Sequence, residues 1–178
     1  MMQDARRYAV TGAGGMLGRL LVRTLEDRGA LVTAFDGVDS VDISDARSVA
    51  SIPEDIDVVV NAAAWTDVDG AEADEAGALL VNGTGTGYLA ARCVEIGATL
   101  VHYSTDYVFD GSRAEPIPTE ATPAPINAYG RTKLAGEQVI TTTHVDHLLL
   151  RTSWLFAPHG TNFVRTMLKL GAERDAIQ

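Results

Sequence analysis

The chain has 178 residues, 46% of them hydrophobic, with 24 acidic against 14 basic side chains and a formal charge of −10. That length and apolar content suit one domain with a sizeable core. So acidic a chain repels phosphate backbones, which excludes nucleic acid as the expected partner and leaves any small anion to local devices. No apolar run approaches the length of a membrane-spanning helix and none of signal-peptide length precedes the first glycines, so the expectation is a cytoplasmic protein without a membrane partner.

"RYAVTG" is a short apolar run that ends in glycine and predicts a first strand. In "MLGRLLVRTLEDRG", Met16, Leu17, Leu20, Leu21 and Leu25 fall on one helical face, and Gly29 stops the helix. "ALVTAFD" predicts a second strand, and "SDARSVASI" a short helix capped by Ser44 or Asp45. "IDVVVNAAA" is apolar without alternation, as in a parallel strand covered on both faces. Residues from about Ala71 to Ile96 read as helix with a weak middle at Asn82 to Gly87. Cys93, the sole cysteine, lies in that pattern and reads as a small core residue.

"ATLVHYST" predicts the fourth strand, followed by a loop rich in Pro, Gly and Thr. "NAYGRTKLAGEQVITT" predicts a helix capped by Asn127, "HLLLRTS" a fifth strand and "TNFVRTMLKLGAER" a last helix. "RDAIQ" reads as the entry to another strand, so the chain is expected to stop short of its fold; a plain tail is the alternative. Strands separated by helices of this length predict an α/β fold of Rossmann type, a doubly wound parallel sheet with helices on both faces, over residues 1–178.

"VTGAGGMLGR" places Gly12, Gly15 and Gly18 between the first strand and the first helix. Gly12 allows the tight turn, Gly15 lets the backbone approach a pyrophosphate, and Gly18 lets helix and strand pack closely. The helix N-terminus adds free N–H groups and the positive end of its dipole. Asp36 ends the second strand, 18 residues after Gly18, where an acid meets ribose hydroxyls and disfavours a 2′-phosphate. No Arg or Lys lies between Gly29 and Ala46, so the expected cofactor leans to NADH, with NADPH left open.

Tyr129 and Lys133 stand one helical turn apart on one face. An ammonium beside a phenol favours phenolate, lowers its pKa and lets it give a proton near neutral pH. Ser104 and Thr105 end the fourth strand, where ligands of open α/β sheets bind, and offer a hydroxyl for the same carbonyl oxygen. His102, His144, His147 and His159 form no ligand pattern, so no metal is expected.

With these elements in place, the chain resembles the extended short-chain dehydrogenase/reductases, and within them the dTDP-4-dehydrorhamnose reductases. "TGAGGMLG", "VDISD", "VVNAAAWTDVDGAE", "VNGTGTGYLA", "VHYSTDYVFDG", "NAYGRTKLAGE" and "RTSWLFAPHGTNFVRTML" carry the resemblance over nearly the whole chain. It implies reduction of a C4 ketone on a nucleotide-sugar substrate, with Tyr129 as proton donor and Lys133 on the nicotinamide ribose. Thr105 would hold the carbonyl oxygen, with Asp106 and Trp154 at the sugar nucleotide. Gly15, Met16 and Leu17 would line the pyrophosphate, Asp36 the adenosine ribose, and Asp42 with Ile43 the adenine. Ala64, Trp65, Thr66 and Tyr103 would lie along the cofactor, while Asn82 supports the site. The resemblance also implies a further substrate-binding segment beyond Gln178, weak or no turnover without it, and room for a homodimer.

Two alternatives stay open at this point. Nucleotide-sugar dehydratases and epimerases share the loop and the Tyr/Lys pair, but dehydratases carry Thr-Asp-Glu where this chain has Thr105-Asp106-Tyr107. Related chains also serve as NADP-binding regulatory subunits, which need not keep a catalytic set.

Overall fold

The apolar runs become five strands: β1 (Arg7–Thr11), β2 (Leu31–Phe35), β3 (Val58–Asn61), β4 (Thr99–Thr105) and β5 (His147–Thr152). The computed structural model describes residues 6–174, and in it these strands form one parallel sheet in the order β2-β1-β3-β4-β5. The strand order reverses between β1 and β3, and such a reversal opens a crevice beyond the carboxyl ends of the strands. Register brings polar residues together there. Thr11 pairs with Asn61, Asn61 with His102, and Thr105 with Thr152.

Between the strands run α1 (Met16–Asp27), α2 (Val38–Val41), α3 (Ala46–Val49), α4 (Val68–Ala73), α5 (Glu75–Leu79), α6 (Thr86–Ile96) and α7 (Ala128–Thr143), with α8 (Phe163–Glu173) after β5. Alternate strand residues face opposite layers. Ala9, Val59 and Leu100 pack with Val49, Leu89, Cys93 and Ile140 from α3, α6 and α7. Val10, Val58 and Val60 pack with Leu21, Val22 and Leu25 of α1. The sheet is therefore doubly wound, as its unalternating strands predict. Leu89, Leu100 and Ile140 are fully buried, each contributing about 1.5–3 kcal/mol of apolar transfer.

Between β2 and β3 the expected short helix is α3, capped by Asp45, whose side chain accepts the Arg47 N–H at 2.9 Å. The side chains of β2 stay largely exposed. One element differs from expectation. The helix read from Ala71 to Ile96 starts earlier, at Val68, and breaks at Asp74, which leaves helical geometry (φ −139°, ψ 70°). The Asp74 side chain then accepts the Gly77 N–H and caps α5. From Glu75 the helix runs on to Ile96, and its weak middle is a π-helical turn, Leu80–Gly85. Asn127 caps α7 by accepting the Gly130 N–H at 2.7 Å.

The strand entry read in "RDAIQ" lies outside the described residues except for Arg174, the extended residue that ends α8. Among the described residues no helix is long and apolar enough to cross a membrane.

Candidate active site

The turn after β1 is shaped by backbone crowding. Gly12 has φ +66°, and a Cβ there would sit 2.6 Å from the Ala63 nitrogen. A Cβ on Gly18 would overlap the Gly12 carbonyl, so α1 packs directly on the turn and Gly18 is buried beneath it. Gly15 stands at the α1 N-cap with no side-chain cap, and the first turn carries no acidic residue. The first N–H groups of α1 have no helical partners, so this is a neutral cradle of donors.

This cradle lines a cleft of about 830 Å³ at the carboxyl ends of the strands. Gly12, Gly15, Met16 and Leu17 form one wall. Asp36, Asp42 and Ile43 line its far end, and Ala64 and Thr66 its floor. Asp42 is held in place by local bonds: its carboxylate accepts the Ser44 N–H and O–H. Tyr103, Thr105, Asp106, Tyr129, Lys133 and Trp154 complete the opposite wall.

Trp65 does not join them. Its indole N–H donates to the Asp67 carbonyl at 2.9 Å, and its ring packs with Ala71, Ala78, Ala128 and Tyr129. The reason lies in Asn82. Its Oδ1 accepts the Trp65 N–H at 2.9 Å, and its Nδ2 donates to the Trp65 carbonyl and the Thr132 hydroxyl, both at 3.1 Å. Asn82 thus ties the loop after β3 to α7 from within the π turn.

The start of α7 sits against the turn Asp106–Val108, because a Cβ on Gly130 would overlap the Tyr107 carbonyl. That contact brings the Tyr129 ring edge-on to Tyr107, with centroids 5.7 Å apart. Burial pushes the Tyr129 phenol up, a side-chain hydrogen bond with Thr105 pulls it partly back, and the nearby Asp106 and Tyr107 push it further up. The expected lowering by Lys133 is absent from this geometry. Lys133 donates instead to the Tyr103 carbonyl at 2.6 Å and faces the His102 ring at 3.4 Å. Burial lowers Lys133 to about 8, against an opposing pull from Glu137. Glu137 is itself forked onto Arg151 of β5 at 2.6 and 2.9 Å.

Several lining residues escaped the sequence reading, among them Asn61, Val38, Val81 and Gly160. Asn61 sits at the end of β3 in register with Thr11, and that pairing is a property of the sheet. Gly160 belongs to the loop after β5, which folds back so that His159 contacts the Met16 carbonyl at 3.2 Å. Ser104, offered beside Thr105, also lines the cleft, and its buried hydroxyl is the one such oxygen without a partner among the described residues.

Residues 6–178 match the family described as RmlD substrate binding domain. The chain belongs to this family. Relatives of this RmlD-family chain include the dTDP-4-dehydrorhamnose reductase of Burkholderia thailandensis, 48% identical over 175 residues, which cover 97% of this chain and 58% of that protein. The dTDP-4-keto-6-deoxy-D-glucose reductase of Streptomyces niveus is 47% identical over 96% of this chain and 60% of its own length. Among solved structures, the dTDP-4-dehydrorhamnose reductase of Bacillus anthracis, in complex with NADP, superposes with a TM-score of 0.92 at 39% identity and covers 97% of this chain and 62% of that one. This RmlD-family chain therefore spans about three fifths of the relatives it matches.

Proposed function

We propose that the chain forms the cofactor-binding and catalytic part of a reductase acting on the C4 ketone of a dTDP-linked 4-keto-6-deoxy sugar, dTDP-4-dehydro-L-rhamnose first among them. One observation carries the reading. Thr105, Tyr129 and Lys133 line the same cleft as Gly12 and Gly15 of the turn after β1, and Tyr129 lies near enough to Thr105 for its phenol to be pulled down by it. The reductase activities named for these relatives point the same way.

The residues fit a nicotinamide dinucleotide. A cradle without a side-chain cap or first-turn acid suits a pyrophosphate, held at Gly15, Met16 and Leu17. Asp36, Asp42 and Ile43 are the groups for the adenosine end, and Tyr103 and Lys133 for the nicotinamide end. The bound, reduced nicotinamide supplies the hydride. Thr105 orients the substrate oxygen, Tyr129 holds the proton that oxygen takes as its carbon is reduced, and Asp106 and Trp154 border the sugar nucleotide. The product alcohol gains one hydrogen at carbon and one at oxygen. Burial that keeps Tyr129 protonated suits a proton donor.

The cofactor assigned is NADPH, with NADH as the second candidate. Asp36 and the lack of Arg or Lys between Gly29 and Ala46 favour NADH. The NADP bound by the Bacillus anthracis protein does not support that lean. A cation does stand nearby on another element. Arg19 of α1 donates to the Gly14 carbonyl at 2.7 Å, and a Cβ on Gly14 would overlap the Asp36 carboxylate. Arg19 and Asp36 therefore flank one residue, and Arg19 is the group for a 2′-phosphate.

The dehydratase reading is weaker because Tyr107, where dehydratases carry the second acid, is stacked against Tyr129. The deciding experiment is Tyr129→Phe in the full-length protein. Turnover of the keto sugar should fall by about 10²- to 10⁴-fold while NADPH affinity stays close to wild type. Unchanged turnover would remove Tyr129 as the acid.

A further inference from the structure

Four buried side chains run in a line from the centre of the sheet to the site: Thr11, Asn61, His102 and Lys133, none more than 2% exposed. The first three are successive cross-strand neighbours on β1, β3 and β4. Asn61 Oδ1 receives the Thr11 hydroxyl at 2.8 Å and the Ala63 N–H at 3.1 Å. A backbone N–H can only donate, so the amide has one orientation, with Nδ2 turned to His102 Nδ1 at 3.1 Å. Nδ1 must then accept. A neutral imidazole has a single N–H, which falls on Nε2. Burial and the Lys133 charge both hold His102 well below the usual histidine range, so the ring is neutral. Its Nε2–H points at Lys133 Nζ, 3.4 Å away.

We infer that Asn61 fixes His102 as the Nε2–H tautomer, and that this N–H makes His102 a positioning residue favouring the neutral amine of Lys133. An amine has a lone pair to accept the N–H, whereas an ammonium presents a donor to a donor. Desolvation acts in the same direction. The charges around Lys133 are otherwise paired. Glu137 on α7 is forked onto Arg151 of β5. Glu75 of α5 pairs with Arg131, and Glu72 of α4 accepts the Ala128 N–H at the start of α7. Tyr129 on α7 and Asp106 after β4 lie towards Thr105. The role of Lys133 in reduction rests on the function proposed above; the tautomer and the titration do not.

The test is spectroscopic and uses the whole chain without substrate. The sequence has four histidines and two lysines, and Lys169 is exposed, so both residue types are easily assigned. Nitrogen-15 histidine spectra at neutral pH should show one ring with a protonated Nε2 and a bare Nδ1. A bare Nε2, or an imidazolium at His102, overturns the inference. Carbon-13 spectra of the lysine Cε should show Lys133 titrating well below the ordinary lysine value of 10.5. In His102→Gln the amide can turn its oxygen to the ammonium, and the Lys133 midpoint should rise by about one pH unit. An unmoved midpoint also overturns the inference. If His102→Gln does not fold, the wild-type tautomer decides alone. Unchanged turnover in Tyr129→Phe would remove Tyr129 as the acid, and absence of keto-sugar turnover in the full-length wild type would end the reductase reading; either result leaves these spectra standing.

Discussion

The two sides of the cleft are built by opposite means. The glycine turn is shaped by what it lacks: Gly12, Gly15 and Gly18 carry no side chains, and at Gly12 and Gly18 the neighbours close in until a single Cβ would collide. The side across from it is shaped by what it holds, with Lys133, His102 and Asn61 driven into the interior and each required to find a partner. The turn is constrained by space and insensitive to pH. The opposite side is constrained by protons, because burial disfavours the charged forms of His102 and Lys133.

Lys133→Met should separate those constraints with the largest effect. It removes a group that burial lowers from an ordinary 10.5 to about 8. Because the folded pKa is depressed, the unfolded chain binds more protons between about pH 8 and 10.5, so wild-type stability rises with pH through that window. Below it the charged amine costs on the order of 2–3 kcal/mol, and the methionine variant should be more stable by about that much at pH 7. Its turnover should nonetheless drop by at least about 10²-fold. Urea melts at pH 7 and pH 10 check the first part, since the gain must shrink at the higher pH.

Gly12→Ala should act only through space. The left-handed backbone costs about 1–3 kcal/mol for alanine, and overlap with Ala63 adds to it. The loss should be the same at both pH values. A pH-dependent loss would show that the turn is coupled to the titrating side. Arg19→Ala should have the smallest effect, weakening NADPH by about tenfold with little change for NADH. Equal losses for both cofactors would return Arg19 to a role in holding the Gly14 carbonyl.

The turn was legible in the sequence because its determinants are local: three glycines at fixed spacing between a strand and an amphipathic helix. The pairing of Tyr129 with Lys133 was legible only as spacing. Where the amine points depends on β4, which lies 30 residues earlier in the chain. Longer separations hid Asn61, whose neighbours come from strand register, whereas Arg19 meets Gly14 only five residues away through the fold of α1 onto the turn. Nothing local in the sequence reports that Asn82 captures the Trp65 backbone. The break at Asp74 could have been read from its Asp-x-x-Gly cap, which matches the one at Asp67.

The π turn at Leu80–Gly85 sets an angular phase. Each residue of a helix turns the next by about 100°, so one extra residue in a turn rotates everything before it relative to everything after. In this chain α5 meets the start of α7 through Glu75 and Arg131, while α6 supplies Leu89 and Cys93 to the core. One continuous helix serves both only because the wide turn re-aims it between them. Deleting a single residue within 80–85 would keep the composition and the helix, yet swing Asn82 off Trp65 and Thr132, or Leu89 off the sheet. The hold of Asn82 on Trp65 and Thr132 is therefore governed by the number of residues in that turn.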